Sequence, residues 1–317
     1  MKTLVTGCAG FIGSHLTDRL LAMGYDVVGI DSFRDYYPRA IKEENLKNAI
    51  RSDRFTFIKK DLRDLSEYPL VDCVFHSAAQ AGVRSSWGDS FAVYTRDNIE
   101  VTQQMLEYYK ETGIQRFIYA SSSSVYGDAP LPMREDMKVQ PVSPYGVTKL
   151  AAEHLCYLYW KNYGVPTVSL RYFTVFGPRQ RPDMGICKFV HAIVAGDEII
   201  IYGDGTQTRD FTFVDDIVNA NMCAMQVSSQ SVAGQVFNIG GGNRISVNDL
   251  LTAIGEITER EPNIHYNEKQ RGDVDDTWAD VTKAERVLRW KAKTGINNGL
   301  KKYVDWYRTC FYNNRIQ

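Results

Sequence analysis

Tyr145 and Lys149 carry the first chemistry legible in the chain, because a phenol and an ammonium spaced i, i+4 share one face of a helix. A free phenol ionises near pH 10, too high for a base at neutral pH. A neighbouring cation favours the phenolate and lowers that value, which would let Tyr145 take a proton from a substrate hydroxyl. Taken alone, the same spacing also fits an exposed helical tyrosine beside an unrelated lysine. Ser143 and Pro144 supply a start signal for that helix, a hydroxyl cap and then the residue suited to the first helical position. The run Ser121-Ser122-Ser123-Ser124 directly follows an apolar segment that reads as a strand. Hydroxyls at the carboxyl end of a parallel strand face the crevice where ligands bind. A serine run is ordinary turn chemistry as well, and the spacing does not single out one of the four.

A second set lies at the start of the chain, in Thr6-Gly7-Cys8-Ala9-Gly10-Phe11-Ile12-Gly13. Gly7 permits a tight turn, Gly10 lets backbone approach a pyrophosphate, and Gly13 lets the following helix lie close to the sheet. The helix opening at Phe11 and Ile12 then offers unpaired N–H groups to phosphates. A glycine triplet on its own also makes a plain structural turn. Asp31 adds context: it ends the second strand segment, 18 residues past Gly13, where an acid hydrogen-bonds adenosine ribose hydroxyls. A carboxylate there repels a 2′-phosphate, so the expected cofactor is NAD, with Arg34 close enough to leave NADP open. The positive charge of oxidised nicotinamide would join Lys149 in favouring the phenolate.

The elements that must position these groups alternate along the first half. Strand segments at Thr3–Val5, Asp26–Ile30, Phe55–Ile58, Cys73–Phe75, Arg116–Ala120 and Thr167–Leu170 are separated by helical stretches such as Phe11–Met23. The strands lack polar alternation, as expected when both faces of a parallel sheet are buried. The expected fold is α/β, a doubly wound parallel sheet (a Rossmann domain) over residues 1–170. Residues 171–317 are expected to form a smaller, mainly helical substrate-binding lobe. Helical patterns recur near 214–225, 247–259 and 282–288, and a strand at Gln235–Ile239 suggests that about 212–240 returns to the main domain. Two longer helix patterns, 90–111 and 143–163, carry apolar and aromatic stripes that include Tyr157, Leu158 and Trp160.

Composition sets limits on partners. A net charge of −1 gives no overall basic excess for nucleic acid or a membrane surface. No run approaches the roughly 20 apolar residues that span a bilayer. Six cysteines are scattered without CxxC spacing, which argues against a zinc site or disulfide framework and fits a reducing cytoplasm. The first strand starts at once, leaving no room for a targeting segment, so a cytoplasmic location is expected.

Gly7–Gly13, Asp61-Leu62, His76-Ser77-Ala78-Ala79 and the YxxxK pair Tyr145/Lys149 together resemble the extended short-chain dehydrogenase/reductase family, essentially from end to end. The resemblance implies that Asp61 and Leu62 lie by the adenine and that Ala78 and Ala79 line the cofactor. It implies that Ser122, three residues before the Val of Val125-Tyr126-Gly127, holds the reacting sugar oxygen. It also implies that Arg209, in Gln207-Thr208-Arg209-Asp210, and Arg271, in Arg271-Gly272-Asp273, hold a nucleotide diphosphate, with Asp273 on the ribose. Arg84 is a looser candidate for the sugar or phosphate. A homodimer joined through the two long helices is implied too.

The reaction type follows from what accompanies the tyrosine. Family dehydratases and decarboxylases carry carboxyl groups after the catalytic hydroxyl; here those positions are Ser123 and Ser124, which cannot do that acid–base work. C4 epimerisation of a nucleotide sugar needs only the tyrosine, the cofactor and room for the keto-sugar to turn. Thr174 and the Arg181-Pro182-Asp183-Met184 segment resemble the UDP-glucuronate 4-epimerases, in which the matching Thr and Arg bind the C6 carboxylate and the Ser matching Ser124 assists. That resemblance implies conversion of UDP-glucuronate to UDP-galacturonate through a 4-keto intermediate. A UDP-glucose or UDP-N-acetylhexosamine 4-epimerase is the alternative, with a UDP-glucuronate decarboxylase and a non-catalytic NAD-binding scaffold further away. Arginine is the best donor to a carboxylate, and a firm grip would keep a β-keto acid out of the alignment that releases CO₂.

Overall fold

The computed structural model describes residues 1–269 and 274–312. In chain order the strands of the first half are β1 (Lys2–Thr6), β2 (Asp26–Ile30), β3 (Phe55–Ile58), β4 (Cys73–His76), β5 (Arg116–Ser122) and β6 (Thr167–Tyr172). The second half adds β7 (Thr174–Phe176), β8 (Glu198–Tyr202), β9 (Thr208–Phe213), β10 (Gln235–Ile239), β11 (Asn243–Ser246) and β12 (Asn263–Asn267). Seven strands form one sheet in the order β10-β6-β5-β4-β1-β2-β3, and every pairing in it is parallel. Alternate side chains enter different cores: Leu4, Val28, Val74 and Phe117 on one face, Val5, Val27, Phe75 and Ile118 on the other. Burial on both faces is the physical reason these strands show no polar alternation.

The sheet grows from β1 in opposite directions, towards β2 on one side and β4 on the other. That reversal opens a crevice at the carboxyl ends of the central strands. Whatever follows β1, β2, β4 and β5 therefore converges there, and those segments begin at Gly7, Asp31, Ser77 and Ser123.

Helix Pro144–Tyr163 forms as its signals require. Ser143 Oγ accepts from the Gly146 N–H at 3.1 Å, and Gly164, at φ +75°, ends it in the left-handed region. The expected helix over 90–111 departs from a regular coil. It comprises Phe91–Tyr94, a wide π turn over Thr95–Glu100, and Val101–Tyr109. The wider turn carries Asn98 into the interior, where its amide brackets the Gln80 backbone (2.8 and 3.0 Å) and donates to Thr148 Oγ1 at 3.0 Å.

The second half carries the helices Gly185–Ala195, Val247–Thr258 and Ile296–Tyr307, together with two small sheets the sequence reading did not anticipate. These are β11-β9-β7 and β12-β8. β10 joins the main sheet beside β6, so chain from the second half completes the first. The loop after β7 is tied back onto helix Phe11–Ala22: His15 Nε2 meets Pro178 O at 2.9 Å and Arg179 pairs with Asp18 at 2.7 Å. Those ties hold Arg181, two residues further on, over the crevice.

Candidate active site

One crevice is lined by Gly7, Gly10, Phe11, Ile12 and Gly13 at its floor, and by Asp31, Asp61 and Leu62 at one end. Ala78, Ala79, Tyr145 and Lys149 complete it, so every residue expected to touch the dinucleotide faces one cavity. Gly7 has φ +68°, and a β-carbon there would come within 3.0 Å of the Ala78 backbone. At Gly13 a β-carbon would lie 2.1 Å from Gly7 O, closer than any real contact. The loop is thus wrapped as tightly as glycine allows, leaving a cradle for a pyrophosphate.

Asp31 is oriented by two backbone donors, Phe33 N–H to Oδ1 at 2.8 Å and Ala9 N–H to Oδ2 at 3.1 Å. Burial raises its pKa above the usual carboxylate range, while those N–H groups and Lys42 oppose the rise. Asp61 accepts two bonds from the Arg63 guanidinium, 2.9 and 2.7 Å, and this hydrogen bonding holds its pKa low. Arg34, the residue that left NADP open, pairs with Asp97 and lies 3.9 Å from Asp61. Its charge is committed to two acids. The glycine cradle and the oriented Asp31 fit a dinucleotide with free ribose hydroxyls.

The catalytic pair sits on the first turns of helix Pro144–Tyr163. Ser86 Oγ accepts from the Tyr145 N–H at 3.1 Å, adding a second hydroxyl cap to the one from Ser143. Tyr94 packs edge-on against the Tyr145 ring, centroids 6.2 Å apart. Burial raises the Tyr145 pKa, and hydrogen bonding with Ser122 and the charge of Arg181 pull it back down. Lys149 is 3% exposed and donates to Ala120 O at 2.8 Å. Burial pushes its pKa down to about 8, with the Glu153 carboxylate opposing. Lys149 is therefore anchored at the crevice wall, and the charge of Arg181 also favours the phenolate.

The serines of the run differ in their partners, and Ser121 also lines the crevice. Ser121 Oγ donates to Glu153 Oε1, and Glu153 is held in a buried pair by Arg171, 2.9 Å from Nε and 2.8 Å from Nη2. Ser122 ends β5, bonds the Ser124 N–H and hydroxyl at 3.1 Å each, and lies against Tyr145. Ser123 and Ser124 form the turn after it.

Of the expected substrate groups, Arg181 lines the crevice itself. Its Nε and Nη2 donate to the two Asp183 oxygens at 2.9 Å each. Thr174 opens β7, half-buried, two residues beyond the crevice residue Tyr172. Arg84 lies over the Tyr202 ring, 4.6 Å from its centroid. Arg209 donates from Nη1 to Asp275 O at 2.8 Å and from Nη2 to Val274 O at 2.7 Å, binding the following segment to β9. Arg271 and Asp273 lie outside the described residues. Sequence reasoning missed Ser86, Tyr94, Asn98 and Asp183, all of which orient a site residue or its loop. Only Asp183, two places from Arg181, was within reach of a local signal.

The chain belongs to the NAD dependent epimerase/dehydratase family, which matches residues 3–240. A UDP-glucuronate 4-epimerase of Thermodesulfobacterium geofontis is 38% identical, over 96% of this chain and 95% of that protein. An uncharacterised UDP-glucose epimerase of Bacillus subtilis is 42% identical, over 98% and 99% of the two chains. The crystal structure of a Bacillus cereus UDP-glucuronic acid 4-epimerase, in complex with UDP-glucuronic acid and NAD, superposes with a TM-score of 0.94. It is 41% identical and covers 98% of this chain and 100% of its own.

Proposed function

We propose that the chain catalyses NAD-dependent C4 epimerisation of UDP-glucuronate to UDP-galacturonate. The observation that carries this reading is Arg181, which lines the same crevice as Tyr145 and bears on its phenol. An arginine at the reacting end of the site suits a sugar bearing a C6 carboxylate.

In this reading Ser122 holds the C4 oxygen and Tyr145 accepts its proton. NAD, held by the Gly7–Gly13 loop and Asp31, would supply reversible hydride acceptance at C4. Lys149, buried at the crevice wall one helical turn from Tyr145, tunes its phenol. Thr174 and Arg181, with Ser124 assisting, grip the carboxylate while the 4-keto sugar turns its other face, and Tyr145 gives the proton back. The same grip keeps the C5–C6 bond out of line with the carbonyl, and Ser123 and Ser124 offer no carboxyl group to assist decarboxylation. Arg209, Arg271 and Asp273 serve the nucleotide, with Arg84 a further contact. Residues 1–170 supply the cofactor domain and 171–317 the sugar-nucleotide lobe, with about 212–240 belonging structurally to the first. The six cysteines, scattered without CxxC spacing, support a reducing cytoplasmic location. Among the described residues no helix is long and apolar enough to cross a membrane. We also propose a homodimer.

The relationship to the B. subtilis protein favours UDP-glucose as a second reading. An Arg181→Ala variant separates the two. The uronate reading expects binding of UDP-glucuronate to weaken about 10- to 100-fold, the worth of charge-assisted hydrogen bonds, with binding of UDP-glucose little affected. Equal effects on both sugars would remove the carboxylate assignment.

A further inference from the structure

An arginine has two edges that can each take a carboxylate: the side edge, Nε with Nη2, and the end edge, Nη1 with the second hydrogen of Nη2. In Arg181 the side edge is occupied. Nε donates to Asp183 Oδ1 and Nη2 to Asp183 Oδ2, both at 2.9 Å. Behind the pair stands Tyr36, another crevice residue. Its hydroxyl donates to Asp183 Oδ2 at 3.4 Å, a long contact, and its ring lies 5.7 Å from the Arg181 guanidinium carbon. The loop beneath is fixed by His15 on Pro178 and Asp18 on Arg179. A long, flexible side chain is thereby given one orientation before any ligand arrives.

We infer that Asp183 is a positioning residue for substrate specificity, holding Arg181 by its side edge so that its end edge is free for the sugar carboxylate. The inference rests on the uronate reading above. Without Asp183 the guanidinium keeps its charge but loses its direction, and binding must then supply the ordering entropy of the side chain. Asparagine cannot replace the aspartate, because its amide nitrogen donates where the arginine also donates. Glutamate keeps both acceptor oxygens at a different reach.

The test compares the wild type, Asp183→Asn, Asp183→Glu, Arg181→Ala and the Arg181→Ala/Asp183→Asn double variant, with NAD content checked in each. KM for UDP-glucuronate and inhibition by UDP-glucose are measured. For Asp183→Asn the expected result is a rise in KM for UDP-glucuronate of about tenfold, the loss of one charge-assisted bond. The inhibition constant of UDP-glucose should move less than about twofold, within the usual range for a substitution away from that ligand's contacts. Asp183→Glu should recover part of the loss. The double variant should be no worse than Arg181→Ala alone, since the two residues act as one unit. Three results would overturn the inference: an unchanged uronate KM in Asp183→Asn, equal loss for both nucleotides, or additive losses in the double variant. A wild type that does not favour uronate over neutral sugar would instead sink the functional reading, so the two failures are distinguishable.

Discussion

Tyr145 works between opposing influences. Burial favours the neutral phenol, while Ser122 and Arg181 favour the phenolate, and oxidised NAD adds positive charge on the same side when bound. The base is the deprotonated form, so activity should rise with pH on the acid side of its profile. Removing the hydroxyl in Tyr145→Phe should cost about 10²- to 10⁴-fold in kcat, the usual worth of a positioned acid–base group, with bound NAD retained. Steady-state kinetics beside a cofactor assay checks this, and near-normal turnover would contradict the role. Much of this chemistry was legible in sequence, because Tyr145, Lys149 and the three glycines are recognised by short, local spacing. What supports them was not. Ser86 caps Tyr145 from 59 residues away, and Asn98 reaches Thr148 across 50; no local pattern encodes such contacts. Nor does spacing encode the different partners of the four serines, such as the bond from Ser121 to Glu153.

At the scale of elements, helix Pro144–Tyr163 does two jobs on two faces. Tyr145, Lys149 and Glu153, at i, i+4 and i+8, face the crevice and the buried Arg171. The outer face leaves Val147 45%, Tyr157 46% and Leu158 48% exposed. Three sizeable apolar groups along one helix face are costly to leave in water, and a second copy of the same helix would cover them. A charge in that stripe, Leu158→Glu, should convert a dimer to monomer in sedimentation velocity. A wild type already monomeric at micromolar concentration would contradict the homodimer. The ends of this helix were readable because caps are local signals, Ser143 and Pro144 at the start and Gly164 at the stop. The π turn at Thr95–Glu100 was not, because one extra residue in a turn barely disturbs a 3.6-residue periodicity. The short strands of the two small sheets escaped for a related reason: β8 and β12 pair across 65 positions, and neither carries a distinctive pattern alone.

At the scale of the whole molecule, function depends on two parts of the chain meeting over one crevice. The parallel sheet brings the ends of β1, β2, β4 and β5 together, which sets the cofactor loop, Asp31, Ala78 and Ser122 around Tyr145. The loop after β7, tied down through His15 and Arg179, adds Arg181, a cation suited to a uronate. Order along the sheet follows from alternating strands and helices and was foreseeable. The placement of Arg181 beside Tyr145 was expected only through resemblance, because it depends on ties between residues more than 160 positions apart. A crevice that inverts C4 of a uronate and recycles its own cofactor makes epimer without added NAD. The most direct test is incubation of the purified protein with UDP-glucuronate and no added NAD, followed by separation of UDP-uronates from UDP-pentoses. The expected product is UDP-galacturonate, with the same equilibrium mixture reached from either epimer and no net NADH. UDP-xylose or its 4-keto precursor as the main product would contradict it, and so would turnover of UDP-glucose with UDP-glucuronate untouched.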